Sequence, residues 1–376
     1  MDFELNEEQQ ELAGLAATIL DEQVDHDRLK AIEASDDGFD GDLWAKLAEA
    51  GLLSIAVPEA FGGLGFSTVE LCVFARAIGR SVPAVPALAC SLAAHTVATH
   101  GSDTHKEALL ADLATGETII VPAVCEVAGT DPLQPALQAE RDGDDWVLTG
   151  AKLKVPYAHI ASSFLVTATP HAGSDAGALF LVPGETAGIS SERTQVSCKE
   201  PQFTVAFDGV RVDGSALVGP APGTGALHWF VNEYTALLCA MDLGVAERAL
   251  EIAAEYVKER EQFEQPIGAF QAVHARIADA YIDVAAIRLV TNQLAWQLSE
   301  GLDVAEALPI AKYWASEKAY SVCFAAVHLH GGIGVDVDYP LHRYYLWSRE
   351  LELLLGSGSP QLANFGAFLA DAPVNV

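Results

Sequence analysis

The sequence predicts an α+β chain that is mostly helical, with a strand-rich middle region between two helical ones. Apolar residues recur at helical spacing in residues 1–116 and 223–376, whereas residues 117–222 hold short apolar runs separated by turn signals. Hydrophobic residues form 51% of the 376 positions, which is enough for sizeable cores. We therefore expect three domains with these boundaries: an N-terminal helical domain, a middle β domain and a C-terminal helical bundle.

The N-terminal region opens with an amphipathic helix. Polar and acidic residues occupy positions 6–10, and Leu12, Leu15, Ala16 and Ile19 follow at helical spacing. Further helical runs are predicted at 43–53, 67–80 and 88–115. Glycine and proline residues between the runs at 43–53 and 67–80 indicate a turn rather than a continuous helix.

The middle region changes to strand signals. Short apolar runs stand at 118–121, 146–148, 163–167 and 178–182. Asp142, Gly143 and Asp144 form a hairpin-type turn. The regular spacing of these runs is typical of a β-sandwich or a barrel.

The C-terminal region returns to long helical patterns. These runs cover 236–260, 270–298 and 304–328. Three or four long helices joined by short loops predict a helical bundle.

Charge and cysteine usage exclude several function classes. The chain has 21 Lys plus Arg against 52 Asp plus Glu, a formal net charge of −31. Nucleic acid and anionic membrane surfaces are therefore not expected as partners, because neutralising phosphates requires clustered cations. Six scattered cysteines without a CxxC pair are typical of reduced thiols in a cytosolic protein. No apolar stretch reaches 18 residues and the start is acidic, so we expect a cytoplasmic protein without a membrane span.

The break between two predicted long helices carries a charged and aromatic segment. Arg260, Gln262 and Phe263 place a cation, an amide and an aromatic ring there. An arginine in this setting pairs bidentately with a phosphate or pyrophosphate. The alternative is a solvated arginine balanced by Glu259 and Glu261, and the residues alone leave both readings open.

A second segment combines histidines and glycines at a predicted helix end. His328 and His330 precede Gly331 and Gly332. Glycines at a helix terminus let a ligand or another chain approach the backbone closely. Histidines at i and i+2 do not share a helix face, so no metal site is predicted.

These two segments resemble the acyl-CoA dehydrogenase family of flavoproteins, and the resemblance covers nearly the whole chain. The other matching segments are the Pro-Glu-x-x-Gly-Gly-x-Gly turn at 58–65, a Glu-Val-Ala-Gly-Thr-Asp loop at 126–131, Pro266-Ile267-Gly268, Phe270-Gln271, Gly334 and Pro340-x-x-Arg343. The resemblance implies a helical domain, a β-barrel-like middle domain and a C-terminal four-helix bundle, usually assembled as tetramers with FAD between subunits. It implies that Arg260, Gln262, Phe263 and Gln271 reach the pyrophosphate and adenine half of a neighbour's FAD. His328, His330, Gly331 and Gly332 would line the same half.

The family reaction needs a carboxylate base, and neither usual position holds one here. The reaction takes a proton from Cα of an acyl thioester while hydride leaves Cβ for the flavin, so the base must be a well-aimed Asp or Glu. The two positions at which the family places this glutamate are occupied by Tyr234 and Ser357. Glu233 is one residue away, which rotates a helix by about 100°. It is a weak candidate, and the alternative is a surface acid.

The strand that usually contacts the flavin also departs from the family pattern. The family's Trp, Thr and Asn are replaced by Lys154, Pro156 and Tyr157. Because proline has no backbone N–H, a flavin contact through that amide would be lost. Features for this chain's own flavin are degraded, whereas those reaching a neighbour's flavin are intact.

This asymmetry predicts a subunit that completes a partner's active site. It is similar to the base-less subunit of actinobacterial α2β2 acyl-CoA dehydrogenases, which act on steroid side-chain CoA thioesters. The implied partners are a paralogous subunit, an acyl-CoA substrate and an electron-transfer flavoprotein. The alternatives are a self-sufficient homotetramer with an unusual base, a flavin-dependent oxidase or monooxygenase on the same fold, and a non-catalytic scaffold.

Overall fold

The computed structural model describes residues 5–127, 131–170 and 176–371. The helices are α1 (Glu7–Gln23), α2 (His26–Glu33), α3 (Gly41–Glu49), α4 (Thr68–Ser81), α5 (Ala87–His100), α6 (Asp103–Ala114), α7 (Ala226–Glu259), α8 (Gln271–Ser299), α9 (Ala307–His330), α10 (Leu341–Leu353) and α11 (Gly358–Asp371). The strands are β1 (Ile120–Ala123), β2 (Gln138–Asp142), β3 (Asp145–Pro156), β4 (Ser163–Ala168), β5 (Ala178–Pro183), β6 (Ile189–Thr194), β7 (Gln202–Val212), β8 (Leu217–Val218), β9 (Glu261–Gln262) and β10 (Gln265–Pro266).

The chain divides into two compact units. The first comprises residues 1–27, 68–83 and 235–376, and the second comprises residues 28–67 and 84–234. The predicted boundaries at 116 and 222 do not coincide with this division, so the three-domain arrangement stays a prediction.

The first unit is helical. Asn6 caps α1 in a capping box: its side chain accepts from the Gln9 backbone N–H, and the Gln9 side chain accepts from the Asn6 N–H. Helices α4 and α7 cross closely at two glycines. A Cβ on Gly79 would overlap the Met241 carbonyl oxygen, and one on Gly244 would overlap the Arg76 carbonyl oxygen. The crossing therefore requires glycine at both positions.

The second unit contains two four-stranded sheets. One has the order β1-β4-β5-β8, with β1 and β4 parallel, and the other has the order β2-β3-β7-β6 and is antiparallel. The predicted turn at 142–144 joins β2 to β3, and Gly143 adopts a φ of 67°. Over the part of the chain that the structure describes, these sheets do not close into a barrel.

The expected fold class is confirmed, with local differences. The predicted helical run 88–115 is two helices, because Gly101 separates α5 from α6. Helix α2 and strands β2, β6, β7 and β8 are not among the predicted runs. Helix α2 has only eight residues and a single buried one, Leu29, so its periodicity is weak.

Candidate functional site

A two-residue hairpin stands at the break between α7 and α8. Strands β9 and β10 pair antiparallel, and the turn between them consists of Phe263 and Glu264. Both residues have positive φ, 55° and 65°, as a type I′ turn requires. L-residues other than glycine rarely adopt this conformation, so the turn is strained. The Phe263 side chain is 86% exposed at its tip, in edge contact with the Phe270 ring at 6.1 Å.

Arg260 lies at the base of this hairpin and is exposed. Its backbone N–H donates to the Tyr256 carbonyl and its carbonyl accepts from Ile267, so the main chain there is fixed. Although Glu259 and Glu261 flank it, Arg260 forms no ion pair within the described ranges. This geometry favours the anion-binding interpretation over the balanced surface arginine.

The side chains of Gln262 and Gln271 are also exposed. Gln262 donates to the Glu261 carbonyl at 2.8 Å, and Gln271 is the first residue of α8. The hairpin thus presents a cation, an amide and an aromatic ring to its surroundings, and α8 begins with a second exposed amide. A guanidinium, amides and an aromatic ring are groups that can bind the phosphates and base of a dinucleotide.

The histidine and glycine segment lies at the end of α9. His330 is buried, with Nδ1 donating to the Ala326 carbonyl (2.8 Å) and Nε2 accepting from the Tyr339 hydroxyl (3.1 Å). Its ring stacks on Tyr256 at 4.0 Å, and burial lowers the pKa of His330. Both ring nitrogens of His330 are therefore occupied, so it shapes the helix end. His328 is exposed.

Two glycines follow on an exposed turn. Gly331 has a φ of 66°, and a Cβ built on Gly331 or Gly332 would meet no atom within 4 Å. The backbone there is open to approach by a ligand or another chain. Among the described residues no group of three His, Cys, Asp or Glu side chains has metal-binding geometry.

Glu233 is buried, not a surface acid. Its side chain lies on α7 with 1% exposure, and its Oε2 is 3.8 Å from His95 Nε2 on α5. Burial, assisted by His100, lowers the pKa of His95 to about 4. The surface-acid alternative for Glu233 was therefore wrong.

Tyr234 and Ser357 occupy the two positions at which the family resemblance expects a glutamate. Tyr234 is buried on α7, with its ring 6.1 Å from Phe230. Ser357 lies in the loop between α10 and α11, where its carbonyl accepts from Gln361 N–H. An unactivated serine hydroxyl is too weak a base for the α-proton of a thioester.

A buried ion pair in the second unit holds the start of the 126–131 loop. Lys152 on β3 has no exposed surface, and its Nζ donates to Glu126 Oε1 (2.6 Å) and Thr167 Oγ1 (2.9 Å). The Glu126 carboxylate also accepts from the backbone N–H groups of Ala136 and Leu137. Burial lowers the pKa of Lys152 to about 8, against the opposing effect of Glu126. Residues 128–130 of this loop lie outside the described ranges.

Sequence reasoning missed this pair. Its signal was a lysine among alternating apolar residues of a strand, a position that requires a partner. Two residues later the strand is irregular: Lys154 has a φ of 53°, and the pairing with β7 shifts between Lys152 and Val155. Tyr157 is buried, and its ring lies 6.4 Å from Phe39. This segment does not display the exposed aromatic and hydroxyl pair that the family uses at a flavin.

The helices that the structure describes include none that is both long and apolar enough to cross a membrane.

Comparison with known proteins gives two domain matches. Residues 6–117 match the N-terminal domain of acyl-CoA dehydrogenases, and residues 222–369 match the C-terminal domain. Acyl-CoA dehydrogenase FadE27 of Mycobacterium tuberculosis is 36% identical over 382 residues, covering 99% of this chain and 100% of that protein. FadE28 of the same organism is 30% identical, covering 98% of each.

Two solved structures are similar over nearly the whole chain. The ChsE4-ChsE5 complex from Mycobacterium tuberculosis matches with a TM-score of 0.93 and 36% identity, covering 100% of both chains. A variant of the Tcur3481-Tcur3483 steroid ACAD matches with a TM-score of 0.92 and 40% identity, covering 97% of this chain and 98% of that one.

Proposed function

From the premise that the chain belongs to the acyl-CoA dehydrogenase family, we propose that it is the non-catalytic subunit of a heteromeric, FAD-dependent acyl-CoA dehydrogenase. The complex carries out α,β-dehydrogenation of an acyl-CoA thioester, and this chain completes the FAD site of a paralogous partner. The single observation that carries the proposal is a contrast. The two positions expected to hold the catalytic glutamate hold Tyr234 and Ser357, whereas Arg260 is exposed and forms no ion pair among the described residues.

The absence of a base rests on three residues. Tyr234 and Ser357 occupy the family's two glutamate positions, and neither takes an α-proton at neutral pH. Glu233, the nearby carboxylate, lies against His95 in the interior of the second unit. A base must reach the substrate proton through hydrogen-bond geometry, and a carboxylate that is 1% exposed beside an imidazole is poorly placed for this.

The residues of this chain fit one part of FAD and not the other. Arg260, Gln262, Phe263 and Gln271 would hold the pyrophosphate and adenine half of a partner's FAD, with Gly331 and Gly332 giving backbone access. Bound FAD supplies the acceptor for the hydride that leaves Cβ. This chain's residues would neutralise phosphate charge and cover the adenine.

The chain's own flavin segment does not fit. Lys154 and Tyr157 stand where the family uses a Trp and an Asn, and the Tyr157 ring is buried rather than available to an isoalloxazine. Pro156 offers no backbone N–H. We therefore assign about one FAD to each heterodimer, held by the partner.

The similar solved structures support a heteromeric assembly. Their names each pair two proteins, ChsE4 with ChsE5 and Tcur3481 with Tcur3483, and one is called a steroid ACAD. By this analogy the acyl group is a steroid side-chain CoA thioester, and the electron acceptor is an electron-transfer flavoprotein. The proposal includes cytoplasmic location and three domains at 1–116, 117–222 and 223–376, which the two domain matches favour.

Co-expression with a family paralogue that retains one glutamate tests the proposal. We expect a yellow complex with about one FAD per heterodimer that oxidises acyl-CoA, whereas the chain alone binds little FAD. Stoichiometric FAD and acyl-CoA oxidation by the chain alone would overturn the proposal.

Matched variants of this chain localise the roles within the complex. Arg260→Gln should lower FAD retention, whereas Arg276→Gln, which removes the same charge on α8, should not. Glu233→Gln should leave turnover of the complex intact. Loss of turnover in Glu233→Gln with FAD still bound would instead establish Glu233 as a base.

A further inference from the structure

A cavity in the first unit lies apart from the flavin and base segments. It has a volume of about 440 Å³ and is lined by α1, α4, α7 and α8. This volume falls within the range of small-molecule sites, roughly 300–1,000 Å³. The lining combines two arginines with hydroxyl, amide and apolar side chains.

The arginines bring an excess of positive charge to this cavity. Arg76 donates through Nε to Glu247 Oε2 at 2.7 Å, and Arg288 donates through Nη2 to the other oxygen at 2.7 Å. Arg80 also approaches the Glu247 carboxylate, at 3.5 Å, while pairing bidentately with Glu251. One buried carboxylate therefore faces three guanidinium groups. Of the three, Arg80 is paired with Glu251, so Arg76 and Arg288, the two that line the cavity, share the single Glu247 carboxylate.

The two arginines that line the cavity retain free donors. The bonds of Arg76 to Glu247 use Nε, and those of Arg288 use Nε and Nη2. Within the described part of the chain, the terminal nitrogens of Arg76 and Nη1 of Arg288 form no further hydrogen bond or ion pair. Since guanidinium groups bind planar carboxylates through parallel N–H donors, the pair is suited to an anion.

A buried hydroxyl independently points to a ligand. Thr291 lines the cavity with 1% exposure, and its Oγ1 has no hydrogen-bond partner among the residues described. Helical threonines usually bond to the carbonyl four residues earlier, and an unpaired buried hydroxyl is costly. Asn292, half-buried beside it, also lines the cavity and adds an amide.

The apolar part of the lining indicates the chemical class of the ligand. Val73, Leu243 and Trp296 add apolar surface to the lining. A phosphate would leave this surface in contact with charge, whereas an organic acid would place its carbon skeleton there. We propose that the cavity binds a small monocarboxylate with an aliphatic or alicyclic body, its carboxylate held by Arg76, Arg288 and Thr291. This site is independent of the heteromeric function, because none of its residues belongs to the flavin or base segments.

Calorimetric titration of the full-length chain with hexanoate tests the site. Hexanoate should bind, and hexan-1-ol, which has the same carbon chain without the charge, should bind at least about tenfold more weakly. Thr291→Val removes the hydroxyl with little change in volume. It should weaken hexanoate binding about tenfold while thermal unfolding without ligand is unchanged or higher, since an unpaired polar group is removed. Thr291→Ser should restore binding.

Two charge variants separate a built site from general attraction. Arg288→Lys keeps the charge beside Glu247 but loses the planar fork, and should weaken hexanoate binding about tenfold. Arg193→Gln removes a cation from the second unit and should leave the affinity unchanged. Absence of hexanoate binding, or equal binding by the wild type, Thr291→Val and Arg288→Lys, would overturn the proposal.

Discussion

Exchanging Lys152 for methionine tests how the start of the 126–131 loop is held. The substitution keeps the length of the side chain but removes the ammonium from a site with no exposed surface. The Glu126 carboxylate, whose side chain is 5% exposed, then keeps two backbone N–H donors and loses its cation. Removing one partner of a buried ion pair lowers the free energy of unfolding by about 3–5 kcal/mol. Because Glu126 keeps two N–H donors, we expect a loss of about 3 kcal/mol here.

A double-mutant cycle isolates the interaction. Glu126→Gln should also destabilise, because it removes the negative charge opposite the Lys152 ammonium. The new side-chain NH2 also cannot accept from the Ala136 and Leu137 N–H groups, as the second carboxylate oxygen does now. The double variant contains no buried charge at this position. We therefore expect it to lose less than the sum of the single variants, with a coupling free energy of about 2 kcal/mol.

Urea unfolding at pH 7 measures these values, because Lys152, whose pKa is about 8, is still protonated there. Hydrogen exchange at the Ala136 and Leu137 amides gives a local readout, and both should exchange faster in Lys152→Met. Lys154→Met, on the same strand but only half-buried, should cost under about 1 kcal/mol. Additivity of the two single variants within about 0.5 kcal/mol would refute the reasoning.

Three other predictions concern pH, the hairpin and helix packing. Because burial holds the folded pKa of His95 near 4, below its ordinary 6.5, the folded state binds fewer protons than the unfolded chain between these values. The contribution of His95 to the free energy of unfolding should thus be complete above pH 6.5, and this free energy should fall by about 3 kcal/mol toward pH 4. The fall should be smaller in His95→Gln, and urea unfolding at a series of pH values measures both. The double variant Phe263→Asn, Glu264→Gly should raise the free energy of unfolding by about 1 kcal/mol, because these residues adopt the positive φ of the turn without strain. The same variant should lower FAD retention by the complex, and unchanged FAD retention would count against the role of Phe263. Gly244→Ala should lower the free energy of unfolding by about 3 kcal/mol or more, because the added methyl group forces α4 and α7 apart. Gly14→Ala, with open space around the added methyl group, should raise it by about 1 kcal/mol. Equal shifts of the unfolding temperature in the two variants would contradict the packing argument.

Much of the fold follows from local patterns. The helical spacing at the N-terminus predicted α1, which the Asn6 capping box then fixes, and the turn at Gly143 joins two strands as its residues indicated. Such features depend on neighbours within a few residues, so the sequence contains them directly. The division of the chain into two units does not, since α4 packs with residues that lie far along the chain.

The candidate site was predictable in its residue types and not in its contacts. The resemblance identified Arg260 and Phe263, but their exposure depends on a strained turn that no propensity favours. The burial of Glu233 depends on His95, on a different helix far along the chain. A helical pattern reports which residues share a face, and it does not report which element covers that face.

The shortage of cations gives weight to the exposure of Arg260. With 21 Lys plus Arg against 52 acids, an exposed arginine has an abundance of carboxylates available to it. Lys152 and Arg288 are both paired with buried glutamates, as expected in such a chain. Arg260 has acidic neighbours on both sides and still makes no ion pair among the described residues, while its backbone is held by hydrogen bonds to Tyr256 and Ile267. A charge kept available in this way, beside an exposed aromatic ring, is suited to an anion supplied by another molecule. Under the proposed function, a partner's FAD pyrophosphate would be that anion, because a guanidinium can pair with it through two parallel N–H donors.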